Sequence, residues 1–572
     1  MFKKNESYKQ YSLFGVTDSL SDSQRSMMET SIEHSFFVNI FSKINEKDFD
    51  VLYSTKKSRP NVPVNQLVGA LILKNLYNWT YQQLFMNLNF NLLTRHALGV
   101  QSLGGSVFAE ASIFNFQNKV IEYYIQTGKD LLTEVFDSLT SAQLKEFGIK
   151  TDIQRGDSFL LGSNIIDYTR LQLLIEVLLR FSRILDDEDK ETYLKLLSVY
   201  TRQTAGQYIY KIEKDDLPKE IKQLAEIYHK LYVQLGEKYK NVAVFSIFNR
   251  VYNEHFVVAE NKVEVIPSNE LHSAILLSPD DTEATFRYKR GSNSKGYNGH
   301  ISETANPGNK FNLITDVAVT PNNEDDAKIL AYRLPSMIEK TPDLSEYHAD
   351  GNYGSPAVDV ITKNDSIMLV QTAVRGRKSQ TKIKIEKDEA GDLWVSCSQG
   401  QRVKGEITTH KEGARIGKAV FNNERCQLCP YQDKCLAKAA GGKRTEKKHI
   451  WYFNEMRILS HQRLHNIYKI PEERRKLRAN VEATIKEVKR GIKNGKSRLR
   501  GLVRNRFYLT LTSISVNLTR IHKYEINKVL FDYLCHIMKG LLPKTEPILI
   551  AYNAFLVEET RKTNLLCLKN VT

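Results

Sequence analysis

From Arg474 to Arg506 the chain carries 13 Lys or Arg and only two acids, Glu482 and Glu487. A carboxylate in such a run is either one stabilising acid on a solvated helix or a metal ligand placed where a polyanion binds. Arg478, Glu482 and Lys489 are spaced by four and seven residues, which puts all three on one face of a helix. As a plain i, i+4 pair, Arg478 and Glu482 would contribute only about 0.2–0.5 kcal/mol. Cations before and after the carboxylate suit a line of phosphates passing a metal, and they favour the ionised form that a metal requires. Two further acids sit where strands are expected to present them: Asp157 in "QRGDSFLLGSN" and Asp350 in "HADGNYGS", ahead of a Gly-rich turn. Two Asp from neighbouring strands and a Glu from a facing helix make an oxygen cage for two Mg²⁺. Two-metal phosphoryl chemistry needs ions roughly 3.5–4 Å apart, and Mg²⁺ prefers hard oxygen ligands. Asp152 and Asp316 are rivals of the same type, and spacing does not choose among the four. An Asp beside Gly is also an ordinary turn residue.

The cysteines form a second constellation. "CQLCPYQDKC" sets Cys426, Cys429 and Cys435 close together, with Cys397 upstream in "VSCSQG". Four thiolates would close a tetrahedral structural Zn²⁺ site and leave no open position for catalysis; reduced, unmetallated thiols are the alternative. Cys535 and Cys567 have no such neighbours. The thirteen His form no constellation, since His300, His348 and His410 are scattered, although His348 lies two residues before Asp350. No Walker loop or dinucleotide fingerprint is present; "GARIGKA" has the wrong spacing.

The elements that must position these residues are an α/β set. "VPVNQLVGALILKNLYNWTYQQLFMNL" reads as helices broken at Asn78-Trp79-Thr80, with Thr80 the N-cap of the second. Helices in series of this kind are either plain core or a DNA-reading module. A strand is expected around Asp157, then helices over 166–245, strands in "YNGHISETAN" and "KFNLITDVAVT", a helix in "EDDAKILAYRLPSMIEK", and a strand ending at Asp350. A β-rich stretch with the cysteines and a final set of helices follow.

Length and charge agree with this. The 572 residues are 41% apolar, enough for several domains, and the formal charge of +16 favours nucleic acid as a partner over membrane. No run approaches the roughly 20 apolar residues of a membrane span, and "MFKKNESYKQYSLFG" lacks the apolar core of a signal peptide. Six Cys, four of them clustered, point to a reducing cytoplasm rather than a disulfide scaffold.

Arg-x3-Glu-x6-Lys resembles the signature around the third carboxylate of bacterial insertion-sequence DDE transposases, the class marked by Tyr-x2-Arg-x3-Glu-x6-Lys. Arg475 stands where that class has Tyr. "QRGDSFLLGSNI" resembles the family's first-Asp segment and "HADGNYGS" its second, which favours Asp157 over Asp152 and Asp350 over Asp316. "GYNGHISETAN" and "DVAVTPNNEDDA" resemble the strands and helix start between them, and "PVNQLVGALILKNLYNWTYQQL" the helical domain ahead of the core. The resemblance spans roughly 60–520 and also includes a cysteine cluster.

It implies an α/β, ribonuclease-H-like catalytic core with helical and cysteine-bearing insertions, preceded by an all-helical domain. The boundaries expected are an N-terminal segment 1–60, a helical DNA-binding domain 61–148, and a first core part 149–369 with a helical insertion about 166–260. A β-rich zinc-bearing insertion 370–445, a final core part 446–525 with the Glu482 helix, and a tail 526–572 complete the chain. The function implied is cleavage and joining of insertion-sequence ends, with Asp157, Asp350 and Glu482 on two Mg²⁺ (Mn²⁺ in their place). Arg478, Lys489, Arg475 and Lys486 would contact DNA, and Cys397, Cys426, Cys429 and Cys435 would hold Zn²⁺. The implied partners are double-stranded element ends and target DNA, bound by a homodimer in the bacterial cytoplasm at the nucleoid. A structure-specific endonuclease on the same fold and a catalytically silent DNA-binding relative are the rivals.

Overall fold

The computed structural model describes residues 1–541 except 11–14, 16, 101–106, 261, 290, 372–382, 389, 410–414 and 441–447. His410, Cys567 and most of the expected 526–572 tail therefore lie outside the described residues. The central sheet begins with β1 (Ile153–Gly162). A helical stretch then ends in a hairpin, β2 (Phe256–Ala259) and β3 (Lys262–Val265). The sheet resumes with β4 (Thr285–Lys289), β5 (Ser292–Thr304), β6 (Ile314–Pro321), β7 (Glu346–Ala349) and β8 (Met368–Gln371). The order is β4-β5-β1-β7-β8, and β6 also pairs with β5. β5 runs antiparallel to β1 and β6, whereas β1, β7 and β8 are parallel.

The period-2 alternation of strand side chains gives the sheet two different faces. Arg155 and Asp157 point to one and Gly156 and Ser158 to the other. On the Gly156 face the helix Asp326–Lys340 contributes Leu330, Leu334 and Met337 to a core with Tyr347, Tyr353 and Leu369. On the Asp157 face lie the Glu482 helix (Val481–Val488) and the long helix Leu502–Leu541, whose apolar side chains share one core with the N-terminal helices. Ser515 of the long helix donates its hydroxyl to the Ile72 carbonyl. Asn517 bonds both the N–H and the carbonyl of Ile314. This helix is thus wedged between the N-terminal helices and the sheet, and it runs unbroken across the expected boundary at 525.

Among the N-terminal helices, Val64–Leu76 ends as the sequence predicts. Asn78 takes φ +53°, and Thr80 caps the next helix, Tyr81–Phe90, in a reciprocal box with Gln83. The insertion after β1 folds around its own core, in which Phe181, Phe248 and Tyr228 stack with centroids 4.5 Å apart. The cysteine-bearing region is a second, antiparallel sheet of β9 (Lys384–Lys387), β10 (Leu393–Ser396), β11 (Arg402–Thr409), β12 (Arg415–Phe421), β13 (Lys438–Ala440) and β14 (Lys448–Asn454). Among the described residues no helix is long and apolar enough to cross a membrane.

Gly156 is required by close approach: a Cβ there would stand 1.9 Å from the Tyr347 hydroxyl and 2.9 Å from Ser302 Oγ. Gly156→Ala should therefore destabilise by about 1–3 kcal/mol, the usual cost of overpacking a dense core. Urea unfolding checks this, and Tyr347→Phe in the same chain should restore part of the loss.

Candidate active site

The basic segment is not one helix. A short helix, Glu472–Arg475, gives way to a 3₁₀ stretch over Lys476–Asn480, then the Glu482 helix, then a 3₁₀ turn over Lys489–Gly491. The expected single helical face for Arg478, Glu482 and Lys489 is thus corrected to three consecutive pieces. The cause is tertiary. Arg155 donates from Nη1 to the Leu477 carbonyl at 2.9 Å, and Arg474 donates to Glu346 on β7, so side chains and sheet draw the segment in. The α-helical piece buries Val481, Thr484 and Val488 against the sheet, at i, i+3 and i+7. That burial turns Glu482 to the rim, where its side chain is 68% exposed.

Arg478 joins two of the three acids. One Nη donates to Asp157 Oδ2 and the other to Glu482 Oε1 at 3.3 Å. The second Asp157 oxygen accepts from the Ser158 N–H at 2.9 Å. Burial raises the Asp157 carboxyl above the ordinary aspartate range; Arg478 opposes the rise and the neighbouring Asp350 adds to it. Asp350 follows β7 directly, and its carbonyl accepts from Gln371 Nε2 and from the Tyr353 N–H. Among the described residues its carboxylate has no hydrogen-bond or ion-pair partner. The β1–β7 ladder pairs Arg155 with His348, so the same register carried two residues on would set Asp157 opposite Asp350.

The rival acids have structural partners instead. Both carboxylate oxygens of Asp152 accept from Asn306 Nδ2. Asp316 is fully buried against Arg333 and Lys340; burial alone would raise its carboxyl, but the charge and hydrogen bond of Arg333, with Lys340 and His300 adding, hold it low. His348 likewise has a structural partner, Glu346, at 2.5 Å.

Of the expected DNA contacts, Lys486 is exposed. Lys489 is half-buried with Nζ 5.7 Å above the Phe159 ring, and Arg475 Nε donates to the Ile470 carbonyl at 2.9 Å. Arg478 is 17% exposed and directs its charge to the carboxylates.

Sequence reasoning passed over Glu303, although it lies within "GYNGHISETAN". It is fully buried opposite Arg155 in the β1–β5 register. It accepts from Arg155 Nε at 2.7 Å, from Thr484 Oγ1 at 2.7 Å and from Arg520 Nη1 at 2.8 Å. Strand, Glu482 helix and long helix therefore meet on one carboxylate. Burial alone would raise Glu303, but Arg520 and Arg155 outweigh it and hold the carboxyl below the ordinary glutamate range.

Cys397, Cys426, Cys429 and Cys435 are half-buried, unbridged, and line one small cavity with His449. Burial pushes the Cys426 thiol up, and the other three thiols add to the rise. Among the described residues no three or more His, Cys, Asp or Glu side chains stand as a metal site. In donor chemistry the three acids fit a hard cation, with Asp350 unpartnered among the described residues and Glu482 solvent-facing. The thiols fit a soft one.

Residues 396–522 match the family described as Transposase DDE domain, and residues 26–119 match Transposase domain (DUF772). Two segments of the chain are thus similar to transposase domains. These matches support an insertion-sequence DDE transposase and include Glu482, Arg478 and the four clustered cysteines; Asp157 and Asp350 lie outside the matched residues. No curated protein and no solved structure matches the chain.

Glu303→Gln should leave Arg155 and Arg520 without their shared counter-charge and cost about 3–5 kcal/mol, as for a broken buried ion pair. Because the folded Glu303 titrates below its ordinary value of 4.5, its contribution is full above that pH and is lost as pH falls through the folded value. Urea unfolding of both proteins from pH 7 downwards should show the gap between them closing only below about pH 4.5.

Proposed function

We propose that this transposase-domain protein cuts and joins insertion-sequence ends, with Asp157, Asp350 and Glu482 as its catalytic carboxylates. The observation that carries this reading is Arg478 bridging Asp157 and Glu482 in the middle of β1, just past the last β1–β7 pair and beside Asp350. A ribonuclease-H-like core is supported by the sheet: β6-β5-β1-β7-β8, with the antiparallel β5 and β6 on one side of a parallel β1-β7-β8 group. The domain boundaries expected from the sequence are proposed with it, including DNA binding by helices within 61–148.

Asp157, Asp350 and Glu482 would hold Mg²⁺, or Mn²⁺ in its place. Such ions, when bound, supply activation of an attacking oxygen and stabilisation of a leaving one. The first step is attack of water on a phosphodiester at the element's end, forming one P–O bond and breaking another to free a 3′-hydroxyl. In the second, that hydroxyl attacks a target phosphodiester and the target's own 3′-oxygen leaves, so P–O bonds are conserved and no covalent protein intermediate is needed. Lys486, Lys489 and Arg475 would contact phosphates. Arg478, withdrawn from the carboxylates when cations arrive, would turn to DNA. The four cysteines would hold a structural Zn²⁺ that ties the second sheet together. Action as a homodimer on DNA in the cytoplasm, at the nucleoid, completes the proposal. An endonuclease on the same scaffold would share the acids but not join.

Supercoiled plasmid carrying the gene's own flanking DNA, incubated in Mg²⁺ with wild type or Glu482→Gln, tests this. Cleavage and joined products from wild type are expected. Loss of both in the variant, with DNA binding retained, is expected alongside. Cleavage without joining would favour the endonuclease, and equal activity in both proteins would remove Glu482 from the site.

A further inference from the structure

The β1–β7 ladder stops short of the acids. Its last pair is Arg155–His348, two residues before Asp157 and Asp350, so backbone pairing alone does not hold the two carboxylates at a fixed separation. A side-chain bond on the opposite face closes that gap. Ser158 follows Asp157 and points away from it; Tyr353 ends the 3₁₀ turn Gly351–Tyr353 that follows Asp350. The Ser158 and Tyr353 hydroxyls are 2.5 Å apart.

Tyr353 is itself immobilised. It is fully buried among Leu334, Tyr347 and Val358, and its hydroxyl stands 3.0 Å from His300 Nδ1. His300 Nε2 is 3.2 Å from Ser302 Oγ, which is 2.7 Å from the Tyr347 hydroxyl. One assignment satisfies the ends of this chain: Ser158 donates to Tyr353, Tyr353 to His300 Nδ1, and His300 Nε2–H to Ser302. It requires a neutral imidazole, which burial secures by lowering the His300 pKa to about 4.

We infer that Tyr353 is a positioning residue, whose bond to Ser158 sets the spacing of Asp157 and Asp350 and so prepares the cation site. This rests on the carboxylate assignment proposed above. It predicts a specific defect, since groups that orient metal ligands typically contribute about 10–100-fold in metal affinity.

Mn²⁺ binding to the full chain, followed by electron paramagnetic resonance well below every variant's melting temperature, is the test. Wild type, Tyr353→Phe, Ser158→Ala, the double variant and Asp157→Asn are compared. Tyr353→Phe and Ser158→Ala should each weaken Mn²⁺ binding about tenfold, at the lower end of that range, and the double variant no further, because the Ser158–Tyr353 bond is already lost in each single variant. If Tyr353→Phe does not fold, Ser158→Ala carries the same expectation. Wild-type affinity in Tyr353→Phe or Ser158→Ala, or losses that add in the double variant, would overturn the inference while weakened binding in Asp157→Asn leaves the carboxylate site standing. Equal binding by wild type and Asp157→Asn, or none by wild type, would remove the site and the inference together.

Discussion

Glu303 has no contact with solvent, so its charge must be met inside the protein, and the partners that meet it come from three elements distant in sequence. Arg155 lies next to it on β1, Thr484 on the Glu482 helix, and Arg520 on the long helix. A buried carboxylate left unpaired is expensive, whereas one with two guanidinium groups and a hydroxyl is satisfied. Docking of the Glu482 helix is thereby coupled to ion-pair formation. Arg520 extends the link to Glu487, so both acids of the basic segment are placed from this centre, Glu487 by contact and Glu482 by the orientation of its helix.

The same constraint explains why a carboxylate survives within so basic a run. Val481, Thr484 and Val488 must face the sheet, and this leaves Glu482 at the rim beside Arg478. Arg478 balances Asp157 and Glu482 with one cation, while Asp350 carries none among the described residues. The site is thus organised around negative charge that is only partly compensated, an arrangement suited to a divalent cation.

Asp157, Asp350 and Glu482 were singled out by local cues: a β-type run after Asp157, a Gly-rich turn after Asp350, an acid among cations at Glu482. The Thr80 cap was legible for the same reason. Glu303 and Tyr353 were not, because what they do depends on register: Glu303 meets Arg155 across 148 residues and Tyr353 meets Ser158 across 195. The 3₁₀ break around Arg478 was equally hidden, since helical spacing carries no trace of a distant Arg155 bonding the Leu477 carbonyl. The spacing of the cysteines groups them; their shared cavity appears only once the sheet β14-β12-β11-β10 is assembled.

The proposed grouping of Asp157, Asp350 and Glu482 into one cation site is open to direct observation. Anomalous diffraction from crystals of the full chain soaked in Mn²⁺ addresses it most directly. Anomalous density contacting Asp157 and Asp350 is predicted, with Glu482 turned towards it and Arg478 withdrawn. Density elsewhere, with Arg478 still bridging Asp157 and Glu482 at saturating Mn²⁺, would contradict it.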